Sequence, residues 1–493
     1  MGTVTRSATG RATVWAIVIG SAPIDANAQV VLWERALPDL GYAIFKVAAL
    51  EDGGCILAGL ASSPGAVPAA PAAPAGRRVG LSRADREGRP LWTRAVGLGP
   101  GDLVGEVIAA RNGNIVLVGS TFRDQDRDSS TFVVRASREG EILSEFLLGS
   151  PGPERAHSAI ETADGDLVVT GTAGVPGETG DILIRRVRAD GETRWRQTHG
   201  GFGSQHGRGI VATADGGFVV AGFTDEKGQN NGDVLLLKTD SAGDVLWRRT
   251  FGGESSDSAS SIAVAKDGGL IICGWTATQG GGEGGGDLYL LRTDPLGAVV
   301  WEAAFGGTFW ESGAQAIETR SGDVLAVGRS DSFGEPLESG SQALYLVRAD
   351  ANGRRVWDKV YGFGSSGLAV AEAADGGYLV AGSTLTAEGI PVGYLLKRVP
   401  GSVEESRFLR GDANRDHAVE LSDAIAVLQG LFLGARFPAP ACPDAADFDD
   451  DGDLNERDAI QIIEHLFLGG PPPAAPFPES GDDATLDALG CHL

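Results

Sequence analysis

Short apolar runs, each introduced by a polar turn and ended by a glycine, recur along most of the chain. Examples are DGGFVVAG from Asp215 and DGGLIICG from Asp267, in which Val, Leu and Ile follow an Asp–Gly turn. The spacing between successive copies is 51 to 60 residues. The seven copies begin at Asp52, Asn112, Asp164, Asp215, Asp267, Ser321 and Asp375. A repeat of this length, with strand-like runs bounded by turns, predicts a repeated β-sheet unit.

Each copy has a second half with two more predicted strands. In DVLLLKTDSAGDVLWRRTFGG, from Asp233, an apolar strand is followed by an Asp–Gly turn and by a strand that carries Trp247. The aromatic residue of this last strand recurs at Trp92, Phe146, Trp195, Trp247, Trp301 and Trp357. Four strands per repeat and seven repeats predict an all-β fold, a seven-bladed β-propeller.

The repeat ends one strand short at its C-terminal end. After the seventh copy the chain reaches Gly401 without a Trp strand, whereas Trp33 lies ahead of the first copy. We therefore predict that the Trp33 strand completes the blade that begins near Ser366. This pairing would close the ring and leave no free sheet edge.

Composition narrows the choice of partner. The 493 residues include 66 acidic and 41 basic side chains, for a net charge of -25. Such a charge repels nucleic acid and anionic membrane surfaces, so we expect no nucleic-acid partner. No apolar run approaches the length of a bilayer span, so no transmembrane segment is expected.

The N-terminal residues resemble a secretory signal. Residues 1–28 contain Arg6 and Arg11, an apolar stretch from Val14 and an Ala-Asn-Ala sequence that ends at Ala28. We therefore expect a secreted or cell-surface protein.

The cysteines fall into two pairs. Cys55 and Cys273 occupy strand positions of non-adjacent copies and are expected to be buried as small apolar side chains. Export would allow a disulfide between Cys442 and Cys491, which both lie near the C-terminus.

Loop lengths vary on one predicted face of the propeller only. The loops between the second and third strands include an Ala/Pro-rich insert from Ser62 and a Gly-rich run from Thr278. Variable loops on a rigid scaffold are common binding surfaces. Trp275, Phe309 and Trp310 are expected on this face, where they would either form an aromatic platform for a glycan or peptide or pack between blades.

No catalytic or cofactor-binding arrangement is evident in the sequence. There is no G-x-S-x-G, H-E-x-x-H or P-loop sequence, and the six histidines lack the spacing of metal ligands. No catalytic residue and no organic cofactor are therefore predicted.

The repeat resembles two propeller families over about Val30 to Gly401. It is similar to bacterial secreted propellers built on DGG, an apolar run, and D-x-x-G-x-x-x-W, and it also resembles quinoprotein-type repeats. In both families the Trp residues dock between blades, which implies a structural role for them here. The chain departs from quinoprotein enzymes because it has seven copies rather than eight and lacks both an adjacent Cys pair and C-x-x-C-H.

Two acidic loops near the C-terminus have the spacing of calcium-binding loops. They read DANRDHAVELSD from Asp412 and DFDDDGDLNERD from Asp447, and each is followed by an apolar helical pattern. Oxygen side chains occupy loop positions 1, 3, 5, 9 and 12, a spacing that surrounds one hard cation such as Ca²⁺. The predicted ligands are Asp412, Asn414, Asp416, Glu420 and Asp423 in the first loop, and Asp447, Asp449, Asp451, Asp453, Asn455 and Asp458 in the second.

This duplicated loop–helix resembles dockerin modules, and its tail resembles those that end many exported planctomycete proteins. The resemblance implies a cohesin-like partner, bound through residues near loop positions 10 and 11. Those positions are Leu421 and Ser422 in the first half but Glu456 and Arg457 in the second, so the halves are not equivalent. The first loop also has His417 where a glycine is usual, which should weaken that calcium site.

Together these observations predict four segments: a signal peptide at 1–28, the propeller at 29–404, the dockerin-like module at 405–470 and an acidic, Pro-rich tail at 471–493. The favoured function is an exported, non-catalytic binding or assembly protein with a calcium-dependent attachment module. The alternatives are a carbohydrate-active propeller enzyme with the same module and a quinoprotein-like scaffold for protein assembly.

Overall fold

The structure is a computed structural model. It describes residues 31–37, 40, 43–61, 78–99, 101–122, 129–149, 152–174, 180–225, 232–278, 285–332, 342–363, 365–386, 389–398, 409–413, 419–433, 443–450, 454–474 and 477. The proposed signal segment, most of the variable-loop inserts, Cys442 and Cys491 lie outside the described residues.

Twenty-eight strands form seven four-stranded antiparallel sheets, which we number as blades in chain order. Blade 1 contains β2 Ile44–Ala49, β3 Cys55–Ala61, β4 Arg78–Ala84 and β5 Pro90–Val96. Blade 2 contains β6 Leu103–Ala109, β7 Ile115–Phe122, β8 Ser129–Ala136 and β9 Ile142–Leu148. Blade 3 contains β10 Glu154–Glu161, β11 Leu167–Ala173, β12 Asp181–Val187 and β13 Thr193–His199.

The remaining blades follow the same order. Blade 4 contains β14 Ser204–Ala212, β15 Phe218–Asp225, β16 Asp233–Thr239 and β17 Val245–Phe251. Blade 5 contains β18 Asp257–Val264, β19 Leu270–Thr276, β20 Asp287–Thr293 and β21 Val299–Phe305. Blade 6 contains β22 Glu311–Glu318, β23 Val324–Ser330, β24 Ala343–Ala349 and β25 Arg355–Phe363. Blade 7 contains β26 Ser366–Glu372, β27 Tyr378–Leu385 and β28 Pro391–Arg398, completed by β1 Val31–Leu37.

The predicted seven-bladed propeller is therefore confirmed, and so is the role of the Trp33 strand. Strand β1 pairs antiparallel with β28, with Trp33 opposite Lys397 and Leu37 opposite Gly393. The first and last parts of the propeller thus share one sheet, and blade 7 has four strands like the others.

The core consists of seven apolar clusters, one between each pair of neighbouring blades. The second and third strands supply most of it: in β7 and β16, for example, almost every residue is buried. The cluster that joins blades 7 and 1 includes Leu379, Leu395 and Leu57. The hydrophobic effect favours burial of these apolar side chains between the two packed sheets, and this burial stabilises the closed ring.

Aromatic residues of the fourth strands dock on the next blade, as the resemblance to known propeller repeats implied. A side chain at Gly140 would meet the Trp92 ring at 2.7 Å, and one at Gly353 would meet the Trp301 ring at 2.6 Å. The indole nitrogens of both tryptophans donate to carbonyl oxygens of the same turns, at 3.0 Å to Arg138 and 2.9 Å to Ala351. The Asp–Gly turns are therefore the surfaces on which the preceding blade rests.

The C-terminal residues belong to a second compact unit, separate from the propeller unit of Val30–Pro400. It contains helices α1 Leu421–Leu433, α2 Pro443–Ala446 and α3 Glu456–Ile463, and α3 continues into a π-helical turn at Glu464–Leu468. A small core with Ala424 and Val427 of α1, Phe448, and Ala459 and Ile462 of α3 holds it together. None of the helices in the described part of the chain has the length and apolar character to cross a bilayer.

Cys55 and Cys273 are free and buried, as predicted. Burial raises the pKa of the Cys55 thiol to about 12, so this side chain is uncharged and behaves as an apolar group.

Candidate calcium centre and propeller face

Three carboxylates of the second acidic loop converge in the C-terminal unit. One oxygen from each of Asp447, Asp449 and Asp458 lies within 4.8 Å of the others. Asp447 and Asp458 are buried and Asp449 is half-buried. Like charges this close repel one another unless a cation is shared among them, so the arrangement is that of a cation site.

Backbone hydrogen bonds hold Asp458, loop position 12, in place. It is the third residue of α3, and its two carboxylate oxygens accept from the amides of Asn455 and Phe448, each at 2.9 Å. The Asn455 side chain in turn accepts from the Arg457 amide at 2.9 Å, which completes a capping box. The N-terminus of α3 therefore presents position 12 to the loop.

The surroundings of Asp449, at loop position 3, show whether the carboxylates of the second loop suit a calcium ion. Its Oδ2 accepts from Gln461 Nε2 at 2.9 Å and lies 3.4 Å from Arg457 Nη2. Its Oδ1 is buried and makes no hydrogen bond to any residue that the structure describes. A buried carboxylate oxygen beside two further carboxylates is a hard ligand of the kind that Ca²⁺ prefers, so these residues fit a calcium ion.

The first loop repeats part of this geometry. Asp423 is the third residue of α1, as Asp458 is of α3, and its Oδ2 accepts from the Glu420 amide at 2.8 Å. Asp412 and Asp423 are both buried. The other predicted ligands, Asn414, Asp416, Asp451 and Asp453, lie outside the described residues together with His417.

Sequence reasoning missed Arg410, which connects the two loops. This residue lies two positions before the first residue of the first loop, Asp412, and its side chain is fully buried. Its guanidinium donates to the Asp447 carbonyl oxygen at 2.8 Å and pairs with the Asp450 carboxylate at 2.8 Å, both in the second loop. A basic residue next to an acidic loop was visible in the sequence, but only the fold shows which loop it contacts.

Apolar side chains remain exposed at matching positions of the two helices. Ile425 and Ile460 are 46% and 51% exposed, and Phe432 and Phe467 are 68% and 64% exposed. Each pair is 35 residues apart, the same interval that separates Asp412 from Asp447. The duplicated module therefore presents two related apolar surfaces.

The start of the tail packs on the module. The Ala474 amide donates to the Phe448 carbonyl oxygen at 3.0 Å. Phe477 contacts the His465 ring edge-on at 5.6 Å, and His465 lies 6.1 Å from the Phe448 ring. Part of the predicted tail is thus part of the folded unit.

On the propeller, Trp275 and Trp310 lie in contact. Their ring centroids are 4.8 Å apart with an interplanar angle of 46°. Both rings are half-buried where blades 5 and 6 meet, and the neighbouring Phe309 is 60% exposed. The two tryptophans of the predicted platform therefore lie together and also pack between blades, whereas the Phe309 side chain is largely exposed.

Sequence reasoning also missed a set of buried carboxylates where the chain enters several of the blades. Asp102 accepts from the Leu98 amide at 2.7 Å, Asp257 from Gly253 at 3.1 Å and Glu311 from Gly307 at 2.8 Å. Each carboxylate satisfies amides of its own link, which is a structural role. In two of these links the acidic residue follows a glycine by four positions, Asp257 after Gly253 and Glu311 after Gly307, and this spacing was the available sign of the role.

Comparison with protein families identifies the C-terminal unit. Residues 410–467 match the dockerin type I domain. Over 237 aligned residues the chain is 30% identical to regulatory protein FlaEY of Caulobacter vibrioides, an alignment that covers 42% of this chain and 24% of that protein. The chain thus spans about a quarter of the length of that relative.

Several solved structures are similar in outline. A protein of unknown function from Dyadobacter fermentans is 12% identical, with a TM-score of 0.44 over 76% of this chain and 100% of that one. An alpha-L-arabinanase from Penicillium chrysogenum is 11% identical, with a TM-score of 0.39 over 61% of this chain and 94% of that one. The finer resemblances, to quinoprotein-type repeats and to planctomycete modules, stay predictions. The chain carries a dockerin type I domain at its C-terminus, joined to a seven-bladed β-propeller.

Proposed function

We propose that the protein is an assembly component whose dockerin domain, when loaded with calcium, binds a cohesin-type partner and so attaches the propeller to a larger complex. A propeller joined to a dockerin domain suggests an assembly or attachment role, and dockerin domains generally bind cohesins. The observation that carries the proposal is the convergence of Asp447, Asp449 and Asp458, three carboxylates whose geometry suits a cation.

We assign the partner surface to α1. The two helices share exposed Ile and Phe positions, but Leu421 and Ser422 begin α1 whereas Glu456 and Arg457 begin α3. Leu421 is 45% exposed and extends the apolar surface of α1. Arg457 lies 3.4 Å from Asp449, so its charge is directed toward the calcium loop. An apolar, uncharged surface excludes water from an interface at lower desolvation cost.

Binding of the intact protein to a panel of immobilised type I cohesin domains, with calcium or with chelator, tests this proposal. We expect binding in calcium and none in chelator. Ile425→Asp should abolish binding, because it places a charge on the partner surface assigned to α1. Ile460→Asp is the matched control, since Ile460 is exposed to a similar extent on α3, and it should retain binding. Equal binding in chelator, or no binding to any cohesin of the panel, would contradict the proposal.

We propose a second, ligand-binding role for the propeller face, supported by the contact between Trp275 and Trp310 and by the exposure of Phe309. Exposed aromatic rings of this kind stack on sugar rings or on apolar peptide side chains. Glycan and peptide arrays probed with the intact protein test it. Trp310→Ala should lose the captured ligand without a change in the circular dichroism spectrum. A carbohydrate-active enzyme, the alternative, would instead release cleaved product from the bound glycan.

We also propose that the protein is exported. The basic and apolar character of residues 1–28 supports this, as does the dockerin domain, since such domains occur in extracellular assembly proteins. N-terminal sequencing of protein recovered from the culture medium should begin at Gln29. Intact Met1 in protein found only in cell lysate would contradict export.

A further inference from the structure

Basic side chains gather on the inner strands of blades 3 and 4. Strand β10 carries Arg155 and His157, and β14 carries His206 and Arg208. These first strands of the blades contact their neighbours around the centre of the ring. This local concentration of basic side chains contrasts with the chain as a whole, which has 25 more acidic than basic residues.

Contacts between blades fix the side chains at the start of these strands. His206 of blade 4 shares a hydrogen bond with Thr172 of blade 3 at 2.8 Å, and its ring stacks on Phe223 at 4.7 Å. The Arg155 guanidinium of blade 3 lies 4.9 Å from the centroid of the Phe122 ring of blade 2. Arg155 and His206 are therefore at the same ladder position in adjacent blades, each beside an aromatic ring.

A β-bulge places the other two basic residues. In every blade the pairing of the first strand with the second shifts register by one residue. The extra residue is His157 in blade 3 and Arg208 in blade 4. The five other blades have uncharged residues there, namely Phe45, Gly105, Ser260, Ala314 and Leu368. The two basic bulges are thus neighbours in the ring.

Positive charges act on both histidines of this group. Desolvation and the charges of Arg208 and Arg155 lower the pKa of His206 to about 4, and desolvation with the charges of Arg208, His206, Arg155 and Lys46 holds the pKa of His157 well below its usual value. Desolvation, then Arg155, lowers the pKa of the Arg208 guanidinium, although its side chain is exposed to solvent.

Counter-charge is present for Lys46 but not for Arg208. Lys46 pairs with Glu106 at 3.1 Å, and Glu106 also accepts from Ser158 Oγ at 3.1 Å. Among the described residues, none forms an ion pair or hydrogen bond with the Arg208 guanidinium. An arginine placed beside further positive charge is unfavourable until an anion joins it.

We propose that Arg208, Arg155 and His206 form an anion-binding site at the centre of the propeller, which takes a small oxyanion: sulfate, phosphate or carboxylate, free or carried on a sugar. Guanidinium groups bind such oxyanions through paired, charge-assisted hydrogen bonds. The rings of Phe122 and Phe223 pack on Arg155 and His206 and hold these two side chains in place.

Calorimetric titration of the intact protein with inorganic sulfate, inorganic phosphate and citrate tests the site. We expect one saturable site, and Arg208→Gln should weaken it by at least about tenfold, the loss of one charge-assisted contact. Arg94→Gln, which removes an exposed arginine from the outer strand β5, should leave binding unchanged. Unchanged binding in Arg208→Gln, or no saturation by any of the anions, would overturn the proposal.

A sulfated disaccharide distinguishes the two sources of the anion. Tighter binding than inorganic sulfate, with the same dependence on Arg208, would identify a sugar-borne group. Equal affinity would identify the free anion. Thermal unfolding of Arg208→Gln should match or exceed that of the unsubstituted protein, because the variant removes an uncompensated charge, so loss of binding cannot be ascribed to unfolding.

The site should also take up protons. Among the described residues, the charges that act on His206 and His157 are those of Arg155, Arg208 and Lys46, and Glu106 is bound to Lys46. A bound anion offsets these positive charges and raises the pKa of His206 from about 4 toward its usual value. Anion affinity should therefore increase as the pH falls from 7 to 5, and histidine NMR signals should show the shift. Affinity that is independent of pH together with unshifted histidine signals would contradict the placement of the anion next to His206.

Discussion

Six of the seven blades pair an acidic residue of the first turn with a basic residue of the third strand. Arg83 pairs with Asp52 at 2.7 Å, Lys238 with Asp215 at 2.8 Å and Lys397 with Asp375 at 2.6 Å. The same aspartates accept from an amide two residues on, as at Gly217. Sequence reasoning predicted this turn role. It did not predict the ion pairs, because the turn and the third strand are separated by a loop of variable length.

Blade 2 lacks the acidic partner. Asn112 replaces the aspartate, and two guanidinium nitrogens of Arg135 are buried without a hydrogen bond to the described residues. Burial lowers the pKa of Arg135, which is the sign of an unfavourable environment for its charge.

We therefore expect Asn112→Asp to stabilise the propeller, by about 0.5–1 kcal/mol, since a half-buried pair gains little more than a surface pair. Thermal and urea unfolding measure the change. Ser321→Asp is the matched control, because Arg348 already pairs with Asp323 at 2.6 Å. A gain in the control equal to that in Asn112→Asp would show that added charge, and not the missing partner, is responsible.

At the scale of the strand and turn, the fourth-strand aromatic and the following blade's turn glycine act together. Trp195 packs on Gly243, whose φ is +88°, and a Cβ there would meet the ring at 2.9 Å. Gly216 has a similar φ of +83° but no atom within 4 Å of a Cβ. The resemblance to known propeller repeats implied that the Trp residues dock between blades, but the surface on which each one docks is evident only from the stacking of the blades in three dimensions.

Alanine substitutions at Gly216 and Gly243 distinguish the cost of backbone strain from the cost of disturbed packing. Gly216→Ala should cost about 1 kcal/mol for its positive φ. Gly243→Ala should cost about 1–3 kcal/mol more, because the added methyl also displaces the Trp195 ring. Urea unfolding of both variants measures the difference, and equal losses would refute the packing contribution of Trp195.

Strand β1 is the element on which ring closure depends. Deletion of residues 29–37 should expose the edge of β28 and part of the cluster between blades 7 and 1, which includes Leu37. We expect aggregation or loss of the cooperative thermal transition. Deletion of residues 64–75, the Ala/Pro-rich insert, is the control and should leave the transition in place. A monomeric 29–37 deletion with an unchanged transition would contradict closure by β1.

At the scale of the whole molecule, the repeat period and the loop spacing predicted both folded units. Blade number, the strand that closes the ring and the position of Asp458 at the start of a helix all followed from local patterns. Arg410 and the basic group of blades 3 and 4 did not. Each depends on which strand or loop lies next to it, and residues such as Arg155 and Arg208 acquire their meaning only from the register of two adjacent blades.

Titration calorimetry of calcium binding to the intact protein tests the central claim that a cation organises the dockerin domain. We predict two bound calcium ions. Asp458→Ala should abolish binding at the tighter site, in the second loop. Asp423→Ala should cause a smaller loss of total calcium affinity, because His417 already weakens the first loop. Helical circular dichroism should fall when chelator removes the ions. Absence of calcium binding at millimolar concentration, or unchanged binding in Asp458→Ala, would contradict the account.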